Sequence, residues 1–208
     1  MEKRYVVAIT GASGTAFGID LLRKLATADC KIYCVFTDAA KEIAKTELDG
    51  ATNLAEAIRK LESSSYWNTP QKAIDEAALS KIRVCKNSDF AAPIASGSFN
   101  FDAMAISPCS MKTLGKIANS LADNLAVRAA EVALKERRRL VLVPRETPLA
   151  LTSMRNMCAV SEAGAVVLPP VPEFYSDPKC IGDIIEFVTA RTLSAMGIEQ
   201  KILKEWGV

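Results

Sequence analysis

Arg145 and Glu146 set a permanent cation beside a carboxylate, directly after an apolar run, Leu140 to Val143, that stops at Pro144. In open α/β sheets, ligands bind at the carboxyl ends of strands. An Arg-Glu pair in that place could hold an anion and move a proton. The same two residues would also serve as a plain surface ion pair behind a core strand. Two further stretches combine small residues with hydroxyls after apolar runs: Gly11-Ala12-Ser13-Gly14 and Ser110-Met111-Lys112-Thr113. Such turns let backbone N–H groups approach a phosphate or a ring at a helix N-terminus. Taken singly, the first is equally a tight strand-helix turn and the second equally an N-cap with a solvated lysine. Two of them in one sheet favour a mononucleotide. Gly11 to Gly18 does not form the GxGxxG dinucleotide fingerprint.

Residue types that are missing narrow the chemistry. The 208 residues include no histidine. Ser-His-Asp and Cys-His catalysis and histidine metal ligation are therefore excluded, and acid-base work falls to Glu, Asp, Lys, Tyr or Cys. Six cysteines stand at 30, 34, 85, 109, 158 and 180 with no CxxC pair, which reads as free buried thiols in a reducing cytoplasm. No metal site is expected. Net charge is +2, and no basic stripe with interleaved aromatics suggests nucleic acid. No apolar run approaches a membrane span, and Met1-Glu2-Lys3-Arg4 leads straight into a strand without a signal-peptide core.

The elements that must position these residues alternate. Strands are expected at Tyr5–Thr10, Ile32–Phe36, Ile82–Cys85, Ala103–Ser107, Leu140–Val143 and Ala165–Leu168. Helices are expected at about 16–27, up to about 46 with Thr37-Asp38 as cap, 52–62, 110–118, 123–136, 150–162 and 180–196. Residues 63–80 are polar and ambiguous, and 86–101 form a Pro-, Ser- and Gly-containing loop. This alternation predicts one α/β domain over 1–208, a three-layer sandwich around a mostly parallel sheet.

The motifs occur in an order that resembles the flavin prenyltransferases, the UbiX-like family. Besides the two turns, these are Ala95-Ser96-Gly97-Ser98-Phe99, Ser107-Pro108-Cys109, Asp123-Asn124-Leu125, Arg128-Ala129-Ala130-Glu131-Val132, Lys135 to Pro148, Pro169-Pro170-Val171-Pro172 and Phe174-Tyr175. The resemblance implies a Rossmann- or flavodoxin-like fold and a metal-independent transfer. In it a dimethylallyl group passes from dimethylallyl phosphate to N5 and C6 of reduced FMN, and the product serves a UbiD-like decarboxylase. FMN would be held by Gly11, Ala12, Ser13, Thr37, Ser110, Met111, Lys112, Thr113 and Arg145, with Ser13 near N5. Thr37 stands where the family commonly has serine.

The donor phosphate would fall to Lys135, Tyr175 and Arg191, with Arg128 beside them. Lys135, Tyr175 and Arg191 each follow or end an element that could face the same sheet edge. Glu146 is the acid-base candidate, with Ser13 and Lys135 also assigned to the chemistry. Ser96, Phe90 (often tryptophan in the family), Trp206 and Glu47, from a neighbouring chain, would complete the pocket. The family is commonly dodecameric. Two other functions fit parts of the pattern. One is an FMN-dependent decarboxylase of cysteinyl substrates, which uses a histidine that this chain lacks. The other is a non-enzymatic flavin carrier or accessory subunit of a decarboxylase.

Overall fold

The computed structural model describes residues 2–203. β1 (Lys3–Ile9), β2 (Cys30–Phe36), β3 (Ile82–Val84), β4 (Ala103–Cys109), β5 (Arg139–Pro144) and β6 (Val166–Val167) form one sheet in the order β3-β2-β1-β4-β5-β6. Every pairing is parallel. The strands are nearly continuous β-branched and apolar runs because both sheet faces are covered. Alternation along β1 shows this: Tyr5, Val7 and Ile9 enter one core, and Val6 and Ala8 enter the other.

Helices α1 (Thr15–Ala26), α2 (Asp38–Glu47), α3 (Leu54–Glu62) and α8 (Ile181–Ala195) cover the first face. Helices α5 (Met111–Ala118), α6 (Leu125–Lys135) and α7 (Leu151–Glu162) cover the second, together with the 86–101 connection. The elements fall where periodicity puts them, with three differences. The ambiguous 63–80 stretch holds a five-residue helix, α4 (Glu76–Ser80), capped by Asp75. The last strand keeps only two paired residues, Val166 and Val167. The 86–101 loop contains a single 3-10 turn at Pro93–Ala95.

α1 is locked to α3 by a buried charge cluster. The Arg23 guanidinium donates to Asp20 at 2.6 Å and to Glu62 at 3.2 Å, all three side chains being almost fully buried. Charges removed from water are tolerated only when paired and hydrogen-bonded in this way. No described helix is long and apolar enough to cross a membrane.

Candidate functional site

Sheet order reverses direction between β1 and β4, because β1 is followed outward by β2 and β4 by β5. A crevice opens where the turns after two such strands diverge. Here it is a cleft of about 470 Å³, lined among others by Ser13, Thr37, Ser110, Lys112, Arg145 and Glu146. Gly11, Ala12, Met111 and Thr113 line it too.

Each wall has a local cause. After β1 the chain turns through Gly14 at φ 92°, a left-handed conformation natural to glycine. Thr37 ends β2 and caps α2, its Oγ1 accepting from Ala40 N at 3.2 Å. Ser110 caps α5, accepting from Thr113 N at 3.3 Å and donating to Thr113 Oγ1 at 3.0 Å. Thr10 ties the two turns together, accepting from Ser110 N at 2.9 Å and donating to Pro108 O at 2.9 Å. Arg145 N donates to Cys109 O, which fixes the exit of β5 against that of β4. Arg145 and Glu146 remain exposed at the rim.

Within its own chain the Glu47 carboxylate accepts from Gly14 N at 2.8 Å, Thr15 N at 2.9 Å and Thr15 Oγ1 at 2.8 Å. It is absent from the cleft lining. Because an acidic side chain already satisfies the first N–H groups of α1 and its dipole, that helix end is closed to a ligand phosphate. An anion in this cleft is left with the Thr37 and Ser110 ends and the cations Lys112 and Arg145.

One expectation needs correction: the phosphate-clamp residues do not meet at one sheet edge within a single chain. α6 starts at the cleft and runs away from it. Lys135 ends the helix about 15 Å from Leu125 at 1.5 Å per residue. There it pairs with Glu136, and a Cβ added to Gly97 would fall 2.5 Å from Lys135 Nζ. Arg128, two turns earlier on the same side of α6, donates through Nε to Ala95 O at 3.1 Å and pairs with Glu131 at 3.4 Å. Ser96, Arg128 and Lys135 therefore gather around the 95–98 turn.

Tyr175 and Arg191 form a separate group on the other face of the sheet. Arg191 lines a groove with Val167, Pro169 and Phe187. Tyr175 is 70% exposed. Its phenol is pushed up by a hydrogen bond with Glu173, and the Arg191 charge works against that shift. Phe90 is half exposed on the 86–101 connection. Trp206 lies outside the described residues. Within one chain the expected site is thus split into three: the cleft, the Ser96-Arg128-Lys135 cluster and the Tyr175-Arg191 pair.

The cleft also contains residues that the sequence reading missed. Asn87 leaves the 86–101 connection to cap α6: its carbonyl accepts from Leu125 N at 2.8 Å and its Oδ1 from Ala126 N at 3.1 Å. Asn124 Oδ1 takes the next N–H, Val127 N, at 3.1 Å. An asparagine ahead of an apolar helix is a readable cap signal at 124. No such signal marks Asn87, which caps a helix 38 residues onward. Lys116, paired with Asp123, lines the cleft as well. Among the described residues no group of three or more His, Cys, Asp or Glu could hold a metal ion.

Comparison with known proteins agrees with this architecture. The family model "Flavoprotein" matches residues 1–193. The flavin prenyltransferase UbiX of Methanocaldococcus jannaschii is 40% identical over 204 residues, 98% of each chain. The chain belongs to the UbiX flavin prenyltransferases. The crystal structure of AnUbiX (PadA1) in complex with FMN and dimethylallyl pyrophosphate superposes with a TM-score of 0.82 at 36% identity, covering 100% of this chain and 99% of that one. A dodecameric FMN-dependent UbiX-like decarboxylase from Escherichia coli O157:H7 superposes at 0.80 with 34% identity, covering 99% and 100%. As a member of the UbiX flavin prenyltransferases, the chain carries its cleft at the switch point of an all-parallel sheet, with Gly11 to Ser13, Ser110 to Thr113 and Arg145-Glu146 around it.

Proposed function

We propose that this protein is a metal-independent flavin prenyltransferase that binds FMN in the switch-point cleft and uses dimethylallyl phosphate as donor. The observation that carries this reading is the convergence of four chain segments, after β1, β2, β4 and β5, on one cleft rich in hydroxyls and cations. The cleft residues suit FMN. Small side chains at 11 to 13 leave room for a flat ring, and a Cβ at Gly11 would lie 2.6 Å from Ala39 Cβ, so this wall tolerates nothing larger. Thr37, Ser110, Thr113, Lys112 and Arg145 supply hydroxyl and cationic donors for a phosphate. Reduced FMN, when bound, supplies the nucleophilic N5 and C6 atoms.

The protein's own residues do the rest. The donor's C–O bond must break with its electron pair going to phosphate, and fixed cations stabilise the charge that develops there. We assign this role to Lys135, Arg128, Arg191 and the Tyr175 hydroxyl. Glu146, beside Arg145 at the cleft rim, protonates the departing phosphate or accepts a proton from the acceptor ring. Since the cleft and the cation groups stand apart within one chain, we place the working site between copies of the chain, in a homo-oligomer of up to twelve. The prenylated flavin would pass to a UbiD-like decarboxylase. Six free thiols suit work in a reducing cytoplasm; four are buried as expected, whereas Cys158 is exposed and Cys180 half-buried.

The deciding experiment is anaerobic incubation with reduced FMN and dimethylallyl phosphate or pyrophosphate, followed by mass spectrometry of the flavin. A flavin carrying one added dimethylallyl unit is expected, formed without added metal. Unchanged flavin with both donors overturns the reading.

A further inference from the structure

α7 is the least buried of the long helices. Of its twelve residues only Val160 is fully buried. Its inward face is formed by Ser153, Asn156, Met157 and Val160, with Asn156 against Gly115 of α5. Its outward face is mixed rather than uniformly polar: Leu151, Met154 and Cys158 are exposed beside Thr152, Arg155, Ser161 and Glu162. Leu151, Met154, Arg155, Cys158 and Glu162 are all exposed, and at 3.6 residues per turn they fall within about 100° of arc. Leu151 is 58% exposed and Met154 43%.

The two charges on this stripe are unusual in their order. Arg155 and Glu162 form no ion pair among the described residues, like other exposed charges such as Lys112, Arg145 and Glu146. Glu162 is the last residue of α7, where the helix dipole disfavours a carboxylate. A cation brought to that end from outside would correct this. The same stripe contains such a cation seven residues earlier.

We propose that this stripe is an interface with a second copy of the chain. The two α7 helices cross antiparallel about a two-fold axis near Cys158, so that Arg155 of each copy meets Glu162 of the other. A two-fold contact must be self-complementary. A stripe with a cation three residues before Cys158 and an anion four residues after it meets that requirement. Leu151 and Met154 supply the apolar part of the contact. This inference rests on the reading that the chain works as an assembly, and it assigns one face to it.

Charge exchange tests the pairing. Arg155→Glu and Glu162→Arg should each weaken assembly at least tenfold in the concentration needed, read by mass photometry. The double variant Arg155→Glu/Glu162→Arg should return toward wild type, which also shows that the exposed substitutions have not unfolded the chain. In the intact assembly Cys158 should react with a maleimide at least tenfold more slowly than in the dissociated single variants, as read by peptide mapping. A wild type that is a single chain at every concentration overturns the assembly reading. An assembled wild type whose mass ignores all three variants, or whose Cys158 reacts freely, overturns the α7 interface alone. Single variants that dissociate without rescue by the double overturn the Arg155–Glu162 pairing.

Discussion

The Glu47 carboxylate sits on the first turn of α1, 2.9 Å from Thr15 N and 2.8 Å from Thr15 Oγ1. Glu47 is the last residue of α2, so one side chain joins the end of that helix to the start of another. Tyr66 braces it from behind, its hydroxyl donating to Glu47 O at 3.1 Å. Removing a charged cap costs a helix about 1–2 kcal/mol. Glu47→Ala should lower stability by about that amount in denaturant titration. It should also weaken FMN binding, because Gly14 and Thr15 adjoin Ser13. A variant as stable as wild type would mean that the cap contributes nothing.

Asp183 provides the pH counterpart. Its carboxylate accepts from Lys179 N at 2.6 Å and Cys180 N at 3.1 Å. The backbone bond from Lys179 comes first among the causes that hold it below the ordinary carboxylate range. A depressed folded-state value means stability that is present above the unfolded carboxylate pKa, about 3.9, and lost as pH falls through the folded value. Wild type should therefore melt above Asp183→Asn near neutral pH, with the gap closing below about pH 4. A gap that stays constant down to acid would remove the carboxylate from the account.

The sheet and the cleft were legible in the sequence because local signals mark them. Apolar runs ending at Gly11, Thr37, Ser110 and Arg145 identify strand ends, and a switch-point sheet brings strand ends together. Other features are invisible locally. Glu47 reaches across 33 residues to Gly14, and Asn87 across 39 to Ala126. Neither bond leaves a periodic or spacing trace. The expected meeting of Lys135 with Tyr175 and Arg191 fails within one chain for a topological reason. α6 and α8 pack on opposite faces of the sheet, which motif order alone does not reveal.

Glu146 is the group on which the proposed proton transfer depends. It is exposed beside Arg145, and its Oε1 accepts from Thr147 N at 3.0 Å. Glu146→Gln preserves size and that acceptor while removing the titratable proton. FMN affinity should stay within about threefold, while adduct formation in single-turnover assays should fall about 100-fold or more, the scale of a lost general acid-base group. Turnover near wild type would take Glu146 out of the mechanism.

The separation of Lys135 from its own cleft yields the last prediction. Lys135→Ala should impair donor use while sparing FMN affinity, because Lys135 is absent from the cleft lining. Glu146→Gln should be defective in the cleft itself. If each working site takes Lys135 from one chain and Glu146 from another, co-assembled subunits of the two variants regain sites with both residues intact. Random mixing in equal amounts gives about a quarter of all sites in that state. Activity of the mixed assembly should therefore rise well above that of either variant alone, with native mass spectrometry confirming that the subunits have mixed. The same test applies to Arg191→Ala paired with Glu146→Gln. Mixed assemblies no more active than their parents would place Lys135 in service to its own chain or outside the reaction, and the composite site would be wrong.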